Sequence, residues 1–305
     1  MGKLIEFVIR TDNASGIYYS GQTITGHVSI VLEKQTEIRN VTISFSGKAF
    51  CEWDKGLGKT YQTYSGTEII TNNEIILYGG KTGRVVLTGG NHVYRFSIPL
   101  PEVLPSSLET DTGFIRYVLT ARICKPWKSS FTTKLPVTIY ESVDVHLLHS
   151  QPVQGSVAQA VGCWWCCCWK STVIEVSATI NKQCFHPEET IIVNVVVDNR
   201  TNTDISSVEA RLIQTYKYRC SGKYSTKTDR MEIVTISGPS VARGCRYEWT
   251  NQVLAIPVVQ PSVTCSEIIS LEYEVQIEAI VPFCSEGILK LPITVVKTPL
   301  LITSE

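Results

Sequence analysis

Four cysteines and three tryptophans lie together in residues 162–170, which read GCWWCCCWK. The residues of this cluster that could carry chemistry are Cys163, Cys166, Cys167, Cys168, Trp164, Trp165 and Trp169. Cys163 and Cys166 have the two-residue spacing of zinc ligands, and His146 with His149 would complete a tetrahedral site. A zinc centre is therefore one hypothesis for this segment.

Two other interpretations of the cluster need no metal. Cysteines beside aromatic residues are typical of S-acylated segments at a membrane surface. Alternatively, the tryptophans pack between two domains, because each can bury about 150–250 Å² and three exposed ones would leave a large apolar patch. We expect interdomain packing with neither metal nor cofactor, and S-acylation and zinc remain the alternatives.

The rest of the sequence lacks the patterns of a catalytic site. Gly56-Leu-Gly-Lys-Thr60 ends like a phosphate-binding loop, but Trp53 stands where the first glycine of that motif belongs. Gly80-Lys-Thr82 has Ile75 at the same place, so both segments indicate hairpin turns. No serine lies in a G-x-S-x-G elbow. The sequence therefore predicts that the protein is not an enzyme and uses no cofactor.

Charge and cysteine content restrict the class of protein further. The 28 basic and 28 acidic side chains cancel, so no global field favours nucleic acid as a partner. Seven of the eleven cysteines are scattered singly: Cys51, Cys124, Cys184, Cys220, Cys245, Cys265 and Cys284. Such spacing is typical of reduced thiols in a reducing compartment. Because no secretory signal or long apolar window is recognisable either, we expect a cytoplasmic protein.

Hydrophobic residues alternate with period two in many short segments, for example 28–31, 41–45, 94–98 and 191–197. Glycine-rich and asparagine-rich turns separate these segments, and no window keeps a helical period over three turns. The sequence therefore predicts an all-β protein.

The two halves of the chain resemble each other. Tyr18–Ile30 aligns with Phe185–Val197, and Lys134-Leu-Pro-Val-Thr-Ile aligns with Lys290-Leu-Pro-Ile-Thr-Val. This duplication predicts two tandem immunoglobulin-like antiparallel β-sandwiches, at residues 1–148 and 172–305. Residues 149–171 would form a Cys/Trp-rich linker, in which the polar segment 150–159 is expected to be a loop.

Two sequence blocks resemble the arrestin fold, and within it the α-arrestins, or arrestin-domain-containing proteins. The block that begins at Phe96-Ser-Ile-Pro-Leu-Pro and continues through 113–123 to Lys125-Pro-Trp127 is similar to the "LPSS…G.IRY.I.A.I.RPW" block of that family. Phe185-His-Pro-Glu-Glu-Thr-Ile resembles the family's "GYxPGExI" block, with Glu188 in place of glycine.

The resemblance implies a non-catalytic adaptor that binds the cytoplasmic parts of membrane proteins and directs their trafficking in endocytosis and sorting. It also implies partners in ubiquitin-ligase or endosomal sorting machinery, and association with the plasma membrane and endosomes. Family members commonly carry P-P-x-Y motifs, and this sequence has none. An alternative is a redox-linked regulator in which Cys163 or Cys245 forms a mixed disulfide with a thioredoxin-like partner.

Overall fold

The computed structural model describes residues 4–57, 60–126, 130–142, 152–161, 172–220, 225–282 and 287–297, and every regular element within these ranges is a β-strand. We call residues 4–142 the N-terminal lobe and residues 152–297 the C-terminal lobe. The strands of the N-terminal lobe are β1 (Leu4–Thr11), β2 (Ile17–Tyr19), β3 (Thr23–Leu32), β4 (Thr36–Ile38), β5 (Asn40–Leu57), β6 (Thr60–Gly79), β7 (Val85–Leu87), β8 (Gly90–Pro99), β9 (Leu108–Glu109), β10 (Gly113–Cys124) and β11 (Phe131–Tyr140). The strands of the C-terminal lobe are β12 (Val153–Val161), β13 (Thr172–Ile180), β14 (Cys184–Phe185), β15 (Thr190–Asn199), β16 (Ser207–Arg219), β17 (Thr226–Ser237), β18 (Arg246–Ala255), β19 (Ile269–Ile280) and β20 (Leu289–Val295).

Each lobe consists of two main sheets. In the N-terminal lobe the strand orders are β1-β3-β8 and β2-β11-β10-β5-β6, with β9 paired to β10 and a small β4-β7 sheet beside them. In the C-terminal lobe the orders are β12-β13-β15-β18 and β14-β20-β19-β16-β17. Neighbouring strands are antiparallel except for β2 with β11 and β14 with β20, which are parallel. The expected all-β fold of two sandwiches is confirmed.

The duplication seen in the sequence is also a duplication of topology. The five-strand path of the first lobe is repeated strand for strand in the second, including the short parallel strand at its edge. The register is repeated as well, because Tyr117 lies opposite Val137 on β10 and β11, and Tyr273 lies opposite Ile293 on β19 and β20.

Alternation along the strands explains why these segments fold as sandwiches. On β15, Ile191, Val193, Val195 and Val197 are fully buried, while the residues between them are only half-buried. Successive side chains of a strand point to opposite faces, so one face of each strand enters the core. Each fully buried aliphatic side chain contributes about 1.5–3 kcal/mol relative to an exposed one.

The expectation of a loop at residues 150–159 is wrong where the structure describes it. Val153–Val161 forms β12, which pairs with β13 along its whole length. Small residues concealed the period-two pattern, because Gly155 takes a core-facing position. A Cβ on Gly155 would lie 2.9 Å from a methyl carbon of Leu289, so the strand packs closely against β20. The sequence signal was weak because glycine fills the position that an aliphatic residue would normally mark.

Candidate interlobe binding groove

The sequence-predicted site falls outside the part of the chain that the structure describes. This holds for Cys163, Cys166, Cys167, Cys168, Trp164, Trp165, Trp169, His146 and His149. The choice between packing, S-acylation and zinc therefore remains a prediction. Among the described residues, no group of three or more His, Cys, Asp or Glu side chains is arranged to hold a metal ion.

A groove of about 1290 Å³ lies between the two lobes. The N-terminal lobe lines it with Asn13, Ser15, Ile17, Tyr19, Gln22 and Tyr140, and the C-terminal lobe with His186, Pro187, Glu188, Gln214, Ile233, Pro257, Val258, Val259, Gln260, Pro261 and Lys297. Apolar side chains and amides dominate this lining. None of these residues belongs to a motif that the sequence analysis had treated as a binding site.

The C-terminal wall of the groove is the segment 257–261, which reads Pro-Val-Val-Gln-Pro. Its first proline follows the end of β18 and has no backbone N–H to continue the sheet ladder. The hydroxyl of Tyr273 donates a hydrogen bond of 2.6 Å to the carbonyl oxygen of Gln260, which ties the segment to β19. Val258 nevertheless remains 78% exposed. The segment thus presents apolar side chains to solvent from a fixed backbone.

Two equivalent turns, one from each lobe, border the groove. In the first, the N–H of Gln22 donates to the carbonyl oxygen of Tyr19 at 3.1 Å. In the second, the N–H of Glu189 donates to the carbonyl oxygen of His186 at 3.2 Å. Gln22 and Glu189 also accept a side-chain hydrogen bond from the backbone N–H of Tyr19 and His186, respectively. The duplication therefore places the same turn on both sides of the site.

The third residue of each turn has a positive φ angle. Gly21 has φ 80° in the first turn, and Glu188 has φ 70° in the second. Glycine adopts this region readily, whereas an L-residue with a Cβ is strained there. The glutamate that replaces glycine in the family-like block is thus a strained residue at the edge of the groove.

Charges near the second turn are arranged around Glu189. Its carboxylate lies 2.7 Å from the Lys182 ammonium and accepts a hydrogen bond of 2.8 Å from the N–H of His186. Partial burial raises the pKa of Glu189, but the hydrogen bonds and positive charge of these partners outweigh burial and lower it overall. Glu189 therefore stays ionised and holds the turn.

Tyr140 and Lys297 close one end of the groove across the lobe boundary. The Lys297 ammonium lies 3.2 Å from the Tyr140 hydroxyl and 4.7 Å from the centre of its ring. Tyr19 packs beside Tyr140 with 5.9 Å between ring centres. An aromatic pair with an adjacent cation offers a surface for apolar and carbonyl groups of a ligand.

Hydrogen bonds outside the groove also join the two lobes. Glu68 on β6 accepts hydrogen bonds from the Ser266 hydroxyl at 2.6 Å and from the N–H of Glu267 at 3.0 Å. Farther along the boundary, Tyr218 donates to the Thr110 hydroxyl at 2.9 Å. These contacts join residues that are far apart in the sequence, and no local sequence pattern predicts them.

A second carboxylate of the N-terminal lobe meets the same C-terminal segment. Glu141 accepts a hydrogen bond of 3.0 Å from the Thr264 hydroxyl. Burial raises the pKa of Glu141, although its hydrogen bonds to Thr264 and Cys265 oppose that effect. Burial and the neighbouring Glu141 charge raise the pKa of the Cys265 thiol to about 12. Cys265 is therefore an inert, protonated thiol at neutral pH.

The groove offers several kinds of surface that a ligand could contact. Its lining combines one apolar wall, two tyrosines and several amide side chains.

A search of the described residues for membrane-spanning helices found none.

Comparison with known proteins agrees with this architecture. Residues 7–146 match the family model of the arrestin (or S-antigen) N-terminal domain, and residues 170–300 match that of the arrestin (or S-antigen) C-terminal domain. No catalytic family is among these matches.

The relatives include arrestin domain-containing protein 4 of Homo sapiens, which is 27% identical over 301 residues that cover 94% of this chain and 70% of that protein. Arrestin domain-containing protein 17 of Caenorhabditis elegans is 27% identical over 293 residues, with 91% and 68% covered. Thioredoxin-interacting protein of Homo sapiens is 24% identical over 300 residues, with 96% and 74% covered. The chain belongs to the arrestin family, as its resemblance to the arrestin-domain-containing proteins predicted.

Proposed function

We propose that this protein is a non-catalytic adaptor that binds cytoplasmic segments of membrane proteins in the interlobe groove and directs their trafficking. The observation that carries the proposal is the groove itself. Its volume of about 1290 Å³ exceeds the roughly 300–1,000 Å³ typical of small-molecule pockets, and both lobes contribute to its walls. A site of this size suits an extended peptide.

The chemistry of the lining favours an extended segment with apolar side chains. Val258 and Val259 offer an apolar wall, while Tyr19 and Tyr140 offer aromatic faces on the opposite lobe. Gln260 lies along the same groove, where its amide group can pair with a peptide backbone. Recognition would then combine buried apolar anchors with backbone hydrogen bonds.

The groove is tested by placing a charge on its exposed wall. Val258→Glu adds a carboxylate to an apolar surface, whereas Val253→Glu adds it to an exposed strand position that does not line the groove. Binding to a panel of synthetic cytoplasmic segments of membrane proteins is measured by fluorescence polarisation. We expect Val258→Glu to weaken binding about tenfold or more and Val253→Glu to leave it unchanged. Equal affinities for both variants would contradict the placement of the site.

Downstream partners belong to the same proposal. Ubiquitin-ligase or endosomal sorting machinery is the proposed class of partner, and these 305 residues contain no P-P-x-Y motif. The protein would act in the cytoplasm and associate with plasma membrane and endosomes through its cargo.

Direct attachment through S-acylation of the cysteine cluster predicts a hydroxylamine-sensitive membrane pool. Changing Cys163, Cys166, Cys167 and Cys168 to serine would abolish that pool, and an unchanged pool would argue against acylation there.

A second candidate function is a mixed disulfide with a thioredoxin-like protein. Two observations favour it: one relative is named thioredoxin-interacting protein, and Cys245 is the most exposed cysteine of the described residues. Cys245 lies in a tight turn next to Gly244, whose φ is 68°. Thioredoxin that lacks its resolving cysteine and carries 5-thio-2-nitrobenzoate on the remaining one should trap the wild-type chain and the Cys124→Ser variant, because the attacking thiolate displaces thionitrobenzoate as the leaving group. If Cys245→Ser and Cys163→Ser are also trapped at the wild-type level, this candidate is excluded.

A further inference from the structure

Cys51 and Cys220 meet at the boundary between the lobes, and neither of them lines the groove. Cys51 lies on β5 and is fully buried. Cys220 follows the last residue of β16 and is half-buried, so solvent reaches its surroundings. Both sulfurs are present as thiols. One cysteine thus belongs to each lobe.

Three observations place the two residues side by side. The Cys51 thiol donates a 3.5 Å hydrogen bond to the carbonyl oxygen of Arg219, the residue bonded to Cys220. A Cβ built on Gly66 would lie 3.1 Å from the Cys51 sulfur and 3.5 Å from the Cα of Cys220. The Cys51 sulfur is therefore no farther from the Cα of Cys220 than the sum of those two distances.

Gly66 is the reason for this close approach. The same Cβ would lie only 2.5 Å from the carbonyl oxygen of Arg219, which is backbone and cannot swing aside. Only a residue without a side chain lets β6 approach the end of β16 so closely. A disulfide needs Cα atoms about 4.4–6.8 Å apart, and closing the Cys51–Cys220 bond requires the two strand ends to stay this closely packed.

We propose that Cys51 and Cys220 form an oxidation site, at which a peroxide such as hydrogen peroxide creates a disulfide that joins the two lobes. The Cys220 thiolate attacks a peroxide oxygen, the O–O bond breaks, and a sulfenic acid and one water result. The Cys51 sulfur then attacks the Cys220 sulfur, the S–O bond breaks, and a second water leaves. Two thiols are oxidised, one peroxide is reduced to two waters, and both thiol protons leave in the water.

Burial of the Cys51 thiol slows the second step, which is closure of the disulfide. Burial raises the pKa of the Cys51 thiol and outweighs its hydrogen bonds with the backbone of Gly66 and Arg219, which lower that pKa. The fraction of Cys51 thiolate is therefore small at neutral pH, and disulfide closure should accelerate as the pH rises.

The disulfide would lock the arrangement of the lobes. It lies beside the hydrogen bonds of Tyr218 with Thr110 and of Lys227 with Thr112, which join the lobes in the reduced protein. Because the groove is formed between the lobes, the disulfide would also fix its width. This inference goes beyond the adaptor proposal and its test needs no cargo, so either idea can fail while the other stands.

The test is peptide mapping of the full chain after peroxide treatment. The reduced protein is oxidised with hydrogen peroxide, remaining thiols are alkylated, and the digest is analysed by mass spectrometry. We expect a cross-linked peptide pair that contains Cys51 and Cys220 and that dithiothreitol releases. Cys220→Ser should abolish the pair, whereas the matched control variants Cys184→Ser and Cys245→Ser should retain it.

Gly66→Ala supplies a test that leaves both cysteines in place. Its methyl group pushes β6 away from Arg219, so cross-linking should be lost while the circular dichroism spectrum keeps its β-sheet form. Cross-linking of Gly66→Ala at the wild-type rate would overturn the proposal, because the cysteines would then be meeting in some other arrangement. Oxidised Cys220 without a link to Cys51, or linked to another cysteine, would overturn it too.

Discussion

Glu188 is a strained residue whose replacement by glycine should stabilise the protein. Its φ of 70° matches the 80° of Gly21 in the equivalent turn of the other lobe. An L-residue in this left-handed region loses about 1–2 kcal/mol, because its Cβ crowds the following carbonyl oxygen. Glycine removes that strain, but its greater freedom in the unfolded chain costs about 0.5–1 kcal/mol. The net expectation for Glu188→Gly is a gain of about 1 kcal/mol in the free energy of unfolding.

Other contributions at this position are small. The carboxylate of Glu188 makes no hydrogen bond or ion pair with any residue that the structure describes. Its backbone N–H donates to the carbonyl oxygen of Ile256 at 3.0 Å, and glycine retains that bond. A gain of about 1 kcal/mol corresponds to roughly 2–4 °C in Tm for a cooperative unit of 150–250 residues.

Urea and thermal denaturation followed by circular dichroism measure the effect. Glu188→Ala is the matched control, because it removes the carboxylate but keeps the Cβ, and it should change stability little. Gly21→Ala is the reciprocal change and should destabilise by about 1 kcal/mol. The reasoning is refuted if Glu188→Gly is no more stable than the wild type, or if Glu188→Ala gains as much as Glu188→Gly.

Two further predictions concern buried polar groups of the lobe boundary and the C-terminal core. Because burial raises the pKa of Glu141 above its unfolded value, its contribution to stability is fully present below about pH 4 and is lost as pH rises through the folded pKa. Glu141→Gln should therefore gain stability relative to wild type between acidic and neutral pH in paired Tm profiles, and parallel profiles would contradict this assignment. Tyr273→Phe removes hydrogen bonds to Gln260 and Gln214, and should lower the unfolding free energy by about 2 kcal/mol in urea denaturation. A loss no larger than that of Tyr61→Phe, an exposed control, would show that neither bond matters.

Local patterns in the sequence were enough to predict the sandwich architecture. Alternating side chains such as those of 191–197 identified strands, and the two Lys-Leu-Pro segments identified the duplication. The hairpin expected at 56–60 is confirmed, because β5 and β6 pair from Leu57 and Thr60 onward. The pattern failed at β12, where Gly155 occupies a core-facing position without an aliphatic side chain to reveal it.

The candidate sites were much less predictable than the strands. The most conspicuous sequence feature was the cluster of cysteines and tryptophans. Such a cluster is a feature of composition and does not predict which residues lie near it in the folded protein. The groove is made of ordinary residues such as Tyr140, Val258 and Lys297, none of which carries a local signal. The sequence showed that Glu188 departs from the family-like block, but only its φ angle shows that the residue is strained.

The sequence by itself determined which side chains are buried on the regularly alternating strands such as β15, because period-two alternation is a local consequence of strand geometry. It also determined that the fold occurs twice, since each half repeats the same pattern of strands and turns. Only the tertiary structure decided how the lobes sit against each other. That arrangement depends on contacts such as Glu68 with Ser266 and Cys51 with Arg219, which join residues far apart in the chain. Such pairs are brought together by the fold as a whole, so no period or spacing along the sequence encodes them.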